Sequence, residues 1–357
     1  MRNIIYIYML LLVSSVQAQN KSKTSNQSDF DPYNIKLEPK LKLVSNSDTS
    51  SYRGLSVVND RIAWVSGTHG KVGITYDGGE TWKFNTVKNH EKFDFRDIEA
   101  FDSLNAVIMG AGSPAHFLKT TDGGKTWKVT YTNERSEIFF DGMDFWDQNH
   151  GIAFSDPVDS KIFIIETNNG GQTWIPLPNY ILPTVLDSEA GFAASGSSIQ
   201  CLPKGYVVIG TGGKKAHLYI GSNYGKNWTR KSTPISQGKP SAGIFSLYFS
   251  NNESGIIVGG DYLEDKKSTD NCFITTNSGT FWKKTNANPY GYKSSIEQLD
   301  VKTYIATGTK GTDISIDKGL TWKVFSNEGF NVVSKAKFGD KIILVGSKGK
   351  IGILVLE

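Results

Sequence analysis

Thr120-Thr-Asp122-Gly-Gly124-Lys-Thr126-Trp127 is one of six eight-residue phrases in this chain that end in tryptophan. The same form, Ser/Thr-x-Asp-x-Gly-x-Thr-Trp, stands at Thr75–Trp82, with Asp77 and Gly79, and at Ser315–Trp322, with Asp317 and Gly319. Three further copies are worn. Thr167–Trp174 carries Asn169 in place of the aspartate, Thr275–Trp282 carries Asn277 and Phe281, and Gly221–Trp228 retains Asn223, Gly225 and the tryptophan. Successive tryptophans of the set lie 40 to 54 residues apart. A period of that size marks repeated supersecondary units, each of which must stack on a neighbour to bury its apolar face.

Read backward from the tryptophans, every unit has the same order of short apolar runs. In the first unit these are Gly54–Val58, Ile62–Ser66, Val72–Tyr76 and Trp82–Phe84; in the second, Asp97–Phe101, Ala106–Gly110, His116–Thr120 and Trp127–Tyr131. Rich in Val, Ile, Phe and Thr and bounded by Gly, Asn or Asp, they carry strand and hairpin signals. No window of a dozen residues holds a 3.6-residue apolar period, so nothing beyond short helical turns is expected. The phrase falls in the hairpin between third and fourth strands. There the Asp or Asn side chain is expected to accept bonds from backbone N–H groups two residues on, closing the turn. The glycines allow positive φ, and the tryptophan opens the outer strand with a ring that packs between sheets. These phrase residues are read as structural, because no reaction needs its catalytic group six times.

The phrase resembles the Asp-box, also called the bacterial neuraminidase repeat, which caps blade hairpins in β-propellers. The resemblance covers roughly residues 50–357. It implies an all-β propeller and leaves function open, since that fold hosts many activities. Six boxes imply six blades, yet the chain continues past Trp322. Phe330–Phe338, Ile342–Gly346 and Ile351–Leu356 repeat the first three strands of a blade, and the fourth is missing. Upstream, Lys40–Val44 is an orphan strand of alternating polarity. The expectation is a seven-bladed β-propeller over residues 35–357, its last blade completed by this N-terminal strand. Closure of that kind protects edges that an open array would expose.

Residues 1–18 read as a secretory signal peptide, with Arg2 in a short basic start, an apolar run over Ile4–Val13 and Val16-Gln-Ala18 at the cleavage site. The run is too short to cross a membrane as a helix. Residues 19–34 are polar and read as a flexible leader. The mature chain is expected to be a monomer in the periplasm or outside the cell, without a membrane span. Its formal charge of +4, about +3 without Arg2, is too balanced to argue for nucleic acid. Cys201 and Cys272 fall in neighbouring blades. A disulfide is open to them in an oxidising compartment, while their places on different strands favour two free buried thiols. The five histidines show no metal spacing, and neither metal nor cofactor is expected. His116 and His217 each precede their tryptophan by eleven positions and share a structural place in the repeat.

In a propeller the loops joining strands two and three, and those joining blades, emerge on one face, opposite the box hairpins. The long loops of this chain fall in the first set. They are Ser155–Ser160, Gly210–Lys215 and Asp261–Asp270 within blades, and Pro176–Glu189 and Thr233–Ser241 between blades. Loops longer than neighbouring repeats require are as a rule either functional or disordered. Asp156, Asp159, Glu189, Lys214, Lys215, Lys239 and Asp261 are therefore expected around one sector of that face, as a binding surface or as a solvated rim. Two of only six arginines, Arg53 and Arg96, enter innermost strands, and Asp141 holds the like place in the third unit. Side chains there are expected at the channel entrance, where arginine suits bidentate binding of a carboxylate or phosphate. The bland alternative is an ion pair of Arg53 or Arg96 with an acidic neighbour, plugging the channel.

A sialidase needs three arginines on the substrate carboxylate, and beyond Arg53 and Arg96 only Arg61, Arg135 and Arg230 remain in the mature chain, all poorly placed. A glycosidase of the sialidase-like propeller type using paired loop carboxylates among Asp156, Glu189 and Asp261 stays open as the alternative. Among Asp-box propellers the chain is similar to the photosystem II stability/assembly factor family and its bacterial relatives outside photosynthesis. The shared residues are the Asp-Gly-Gly-x-Thr-Trp hairpins, the arginines entering inner strands, and Gly-Thr-x-Gly turns such as Gly308-Thr-Lys-Gly311. Glu189-Ala-Gly-Phe-Ala-Ala-Ser-Gly196 and Ser241-Ala-Gly-Ile-Phe-Ser246 resemble the non-photosynthetic relatives. That resemblance implies a non-catalytic platform for a protein partner or extracellular ligand.

Overall fold

The computed structural model describes residues 39–356 apart from 187. The expected signal peptide (1–18), the leader (19–34) and the first residues assigned to the propeller lie outside the described residues. Within them the chain is all-β. Its helical segments are the 3-10 turns Asn179–Ile181, Pro203–Gly205 and Tyr262–Glu264.

Seven antiparallel sheets form the seven blades of a propeller. Blade 1 pairs Tyr52–Val57, Ala63–Gly67, Lys71–Thr75 and Lys83–Thr86 in chain order, and blade 2 repeats this with Phe95–Ala100, Ala106–Gly110, Ala115–Thr120 and Lys128–Asn133. Blade 7 draws on both ends of the propeller. Val332–Lys335, Ile342–Val345 and Ile351–Leu356 supply three strands, and Pro39–Val44 pairs antiparallel with the last of them, from Pro39↔Leu356 to Val44↔Ile351. The expected closure is present.

Apolar residues of adjoining blades meet face to face, and each box tryptophan enters the core shared with the preceding blade. Trp127 packs among Trp64, Ile74 and Ile108 between blades 1 and 2. Trp174 meets Phe117 and Phe145 between blades 2 and 3, with ring centroids 5.0 and 5.7 Å apart. Trp82, Trp228, Trp282 and Trp322 do the same at their own boundaries. Blade 7 has no box, and Leu41 of the closing strand packs at its boundary with blade 6.

The turn chemistry departs from the sequence expectation in one step. Asp77 does not bond two residues on. Its Oδ1 accepts the Thr81 N–H at 2.9 Å and its Oδ2 the Thr81 hydroxyl at 2.6 Å, both four residues on. Thr75 Oγ1 serves the nearer groups, accepting the Gly79 N–H at 2.9 Å while its hydroxyl donates to Asp77 Oδ1 at 2.8 Å. The cause is local: Gly78 and Gly79 both take positive φ, 74° and 93°, and fold Thr81 back over the carboxylate. Worn copies keep what the backbone needs. Asn277 Oδ1 still accepts the Phe281 N–H at 2.8 Å, so phenylalanine there loses only the hydroxyl bond.

Inner strands are also tied to one another around the whole ring. Ser56 Oγ accepts the Ala100 N–H at 3.1 Å, Asp97 Oδ2 that of Met143 at 2.8 Å, and Asp144 Oδ2 that of Cys201 at 2.5 Å. Gln200 Oε1 takes the Phe249 N–H at 2.7 Å, Ser246 Oγ that of Ile296 at 3.0 Å, and Glu297 Oε2 that of Lys335 at 3.2 Å. The Lys337 N–H, donating to the Val57 carbonyl at 3.0 Å, joins blade 7 to blade 1. Burial pushes the carboxyls of Asp97, Asp144 and Glu297 up to about 7.

Candidate binding site at the mouth of the central channel

Arg53, Arg96, Asp141 and Phe245 occupy one repeated structural position. Each is the residue at which the innermost pair of strands slips register, between Tyr52 and Gly54, Phe95 and Asp97, Phe140 and Gly142, and Ile244 and Ser246. A bulge leaves its extra residue out of the ladder and re-aims the side chain. All four line one cleft of about 430 Å³ at the mouth of the channel. The sequence placed the first three there, and missed Phe245. Its signal is legible afterwards: Ile244-Phe-Ser-Leu247 has the same apolar–x–small or polar–apolar order as Phe95-Arg-Asp-Ile98.

Below the cleft, part of the connector between blades 3 and 4 crosses the channel. Arg96 Nη1 donates to the Ala193 carbonyl at 3.2 Å and Arg53 Nη1 to that of Ala194 at 3.4 Å. Ser195 Oγ donates to the Ser294 carbonyl at 2.7 Å, and Ser197 shares a 2.7 Å hydroxyl contact with Ser246. The channel is thus obstructed by backbone. Arg96 Nε does pair with Asp94 at 2.8 Å, but at the side of the cleft, where both residues stay partly exposed. Small residues are required along the crossing. A Cβ on Gly191 would lie 2.2 Å from Asp141 Oδ2, and one on Gly196 would lie 2.4 Å from Asp97 Oδ1.

Charges in the cleft are unevenly satisfied. Arg53 Nε is buried with no hydrogen-bond partner among the described residues. Burial and the neighbouring Arg96 guanidinium draw the Arg53 pKa below its ordinary value. Asp141 is 2 % exposed, and its Oδ2 finds no donor among the described residues. Burial first, then the adjacent Asp156 carboxylate, raises the Asp141 pKa well above the usual carboxylate range. Asp156, also raised by burial, accepts the Gly191 N–H at 3.0 Å. Two carboxyls in contact cannot both ionise without something positive between them. An aromatic wall faces these charges. Phe192 stacks on Phe245 with centroids 3.8 Å apart, Tyr292 meets Phe245 edge-on at 4.7 Å, and Tyr262 does so at 6.1 Å.

Of the remaining candidates, Lys239 and Asp261 share a second cleft, between blades 4 and 5, where their ion pair spans 3.3 Å and Glu264 joins them. Glu189 turns inward instead of standing on the rim. It is 4 % exposed and accepts from Thr211 Oγ1, from the Leu186 N–H at 3.1 Å, and contacts His217 Nδ1 at 3.1 Å. Asp159 is an exposed turn residue at positive φ, because Gly151–Val158 and Lys161–Thr167 form one extended hairpin. Lys214 and Lys215 are exposed after Gly212–Gly213, a short strand that ties Glu189–Ala190 to blade 5. His116 Nδ1 lies 2.9 Å from His90 Nε2. Cys201 and Cys272 are both free thiols.

Comparisons with known proteins agree with the fold. Two solved structures share the fold: one described as YCF48 bound to D1 peptide, 15 % identical, covers 90 % of this chain and 97 % of its own at a TM-score of 0.64. The other, YCF48 from Cyanidioschyzon merolae, is 19 % identical and covers 88 % and 98 % at 0.63. No curated protein gives a significant match to the sequence. Residues 42–136, which span the end of the closing strand and blades 1 and 2, match the family model described as Photosynthesis system II assembly factor YCF48. The chain is thus a seven-bladed Asp-box propeller similar to the photosystem II assembly factor family, with the sequence match carried by its first two blades.

Proposed function

We propose that this protein is an exported, non-catalytic platform that holds a protein partner at the mouth of its long-loop face, in the manner of an assembly factor. The observation that carries the reading is the bulge position, which delivers two guanidiniums, a carboxyl and a phenyl ring from four blades into one cleft. Structural likeness to a YCF48 bound to a D1 peptide supports a polypeptide as the partner. The pattern of residues 1–18 supports export to the periplasm or beyond. A glycosidase would need carboxyls about 5–9 Å apart across a sugar. Asp156 instead touches Asp141, and Asp261 is held by Lys239, which favours the platform.

The test is a peptide array offering acidic side chains and free carboxyl termini. The wild-type protein is expected to capture a subset that Arg53→Glu/Arg96→Glu loses and Thr126→Ala, on the opposite face, retains. Equal capture by the charge-reversed protein would overturn binding at the mouth. Turnover of aryl glycosides or sialosides that vanishes in Asp156→Asn or Asp261→Asn would overturn the non-enzymatic reading.

A further inference from the structure

The mouth cleft is lined by charged groups of both signs, and each sign is incompletely matched by the protein. On the blade 1 and 2 side, Arg53 makes one long bond, 3.4 Å, to a carbonyl and leaves Nε unpaired. On the blade 3 side, two carboxyl groups face each other. Asp141 Oδ2, almost wholly buried, meets no donor among the described residues. Paired carboxyls need a proton or a cation to coexist, and a buried acceptor without a donor calls for a water, an ion or a ligand. Beside both stands the aromatic wall of Phe192, Phe245, Tyr262 and Tyr292.

We propose that this cleft is a receptor site for a small zwitterion, an aromatic α-amino acid or the equivalent unit of a short peptide. Its carboxylate sits on the Arg53 and Arg96 guanidiniums, its ammonium lies against the Asp141 and Asp156 carboxyls, and its ring lies on the aromatic wall. An α-amino acid carries its two charges two bonds from one another, matching a site whose opposite charges border one small cavity. The volume, about 430 Å³, lies in the range of small-molecule pockets and accommodates one such unit. Guanidinium recognises carboxylate as a planar fork, and Tyr262, 48 % exposed, remains open at the cleft's edge to close over a ligand ring.

The inference deepens the platform reading, because it names the chemistry that the same mouth recognises. It is tested by calorimetry and thermal shift on the mature protein with three probes: L-phenylalanine, 3-phenylpropionate, which lacks the ammonium, and phenethylamine, which lacks the carboxylate. L-phenylalanine is expected to bind at least ~10-fold more tightly than either analogue, the difference one charged hydrogen bond makes. Asp156→Asn should erase that preference while 3-phenylpropionate still binds, and Tyr262→Ala, a substitution at a half-exposed side chain, should weaken all three. Equal affinity for L-phenylalanine and 3-phenylpropionate, or a preference that survives Asp156→Asn, would overturn the zwitterion and leave an arginine-based platform standing. Absence of binding by any probe, in protein whose thermal midpoint shows it folded, would also overturn it. Peptide capture at the mouth tests the platform separately.

Discussion

At the hairpin rim, five turns make the same threonine or serine bond to the N–H four residues on, although their sequences have drifted. At the mouth, one bulge recurs in blades 1, 2, 3 and 5 while its side chain changes from arginine to aspartate to phenylalanine. The first region conserves bonds and lets residues wear; the second conserves a direction and varies the chemistry it points. Their carboxyls differ in the same sense. Asp122 is pushed down to about 2, chiefly by the Thr126 hydroxyl bond, whereas burial raises Asp141 well above the usual carboxylate range. Repeated turns satisfy their own polar groups, while Arg53 Nε and Asp141 Oδ2 at the mouth lack partners among the described residues.

Four changes would break or sharpen that contrast. Removing residues up to Val44 deletes the closing strand and leaves Ile351–Leu356 unpaired along its outer side. The thermal midpoint should fall by on the order of 10 °C; an unchanged midpoint would mean the ring does not depend on its clasp. Next, Trp174→Ala, at 5 % exposure, should cost ~3–5 kcal/mol in chemical denaturation. Trp282→Ala, at the half-exposed end of a worn copy, should cost clearly less.

The third change is in pH. Asp97, Asp144 and Glu297 have folded pKa values raised to about 7, above their unfolded values. Their contribution is complete below about pH 4 and is lost as pH climbs through about 7. Asp77 and Asp122 are depressed by their threonine bonds, so theirs is present above about pH 4 and lost as pH falls towards 2. A thermal-shift series from acid to alkaline buffer should therefore peak at about pH 4 to 5. A midpoint that rises steadily to pH 9 would contradict the channel half of this reasoning. Smallest is Arg96→Ala, which should change stability by less than ~1 kcal/mol and abolish ligand capture at the mouth. A large loss of stability would make this arginine cement like the box residues.

Much of the fold could be read from one phrase, because tryptophan spacing, glycine pairs and the surplus strands at each end are local features of sequence. The exact donors in the turn were not legible. A bond two residues on and one four residues on use the same Asp, and only the two positive-φ glycines decide between them. At the mouth, Arg53, Arg96 and Asp141 were found because they precede inner strands that a reader can align by eye. Phe245 was hidden by its apolarity, which in a strand reads as core. Glu189 was misplaced on the rim because nothing in its neighbourhood announces that Thr211 and His217, over twenty residues later, will enclose it. The obstruction of the channel by Ala193 and Ala194 depends on contacts across the whole ring, which no single window contains.

The clasp of blade 7 also imposes an order in time. Pro39–Val44 leaves the ribosome well before its partner Ile351–Leu356. Until then the early strand has no mate, and contacts of such sequence separation form slowly. The ring can close only once both strands are present to pair, so the blades between them are made before their ends are clasped.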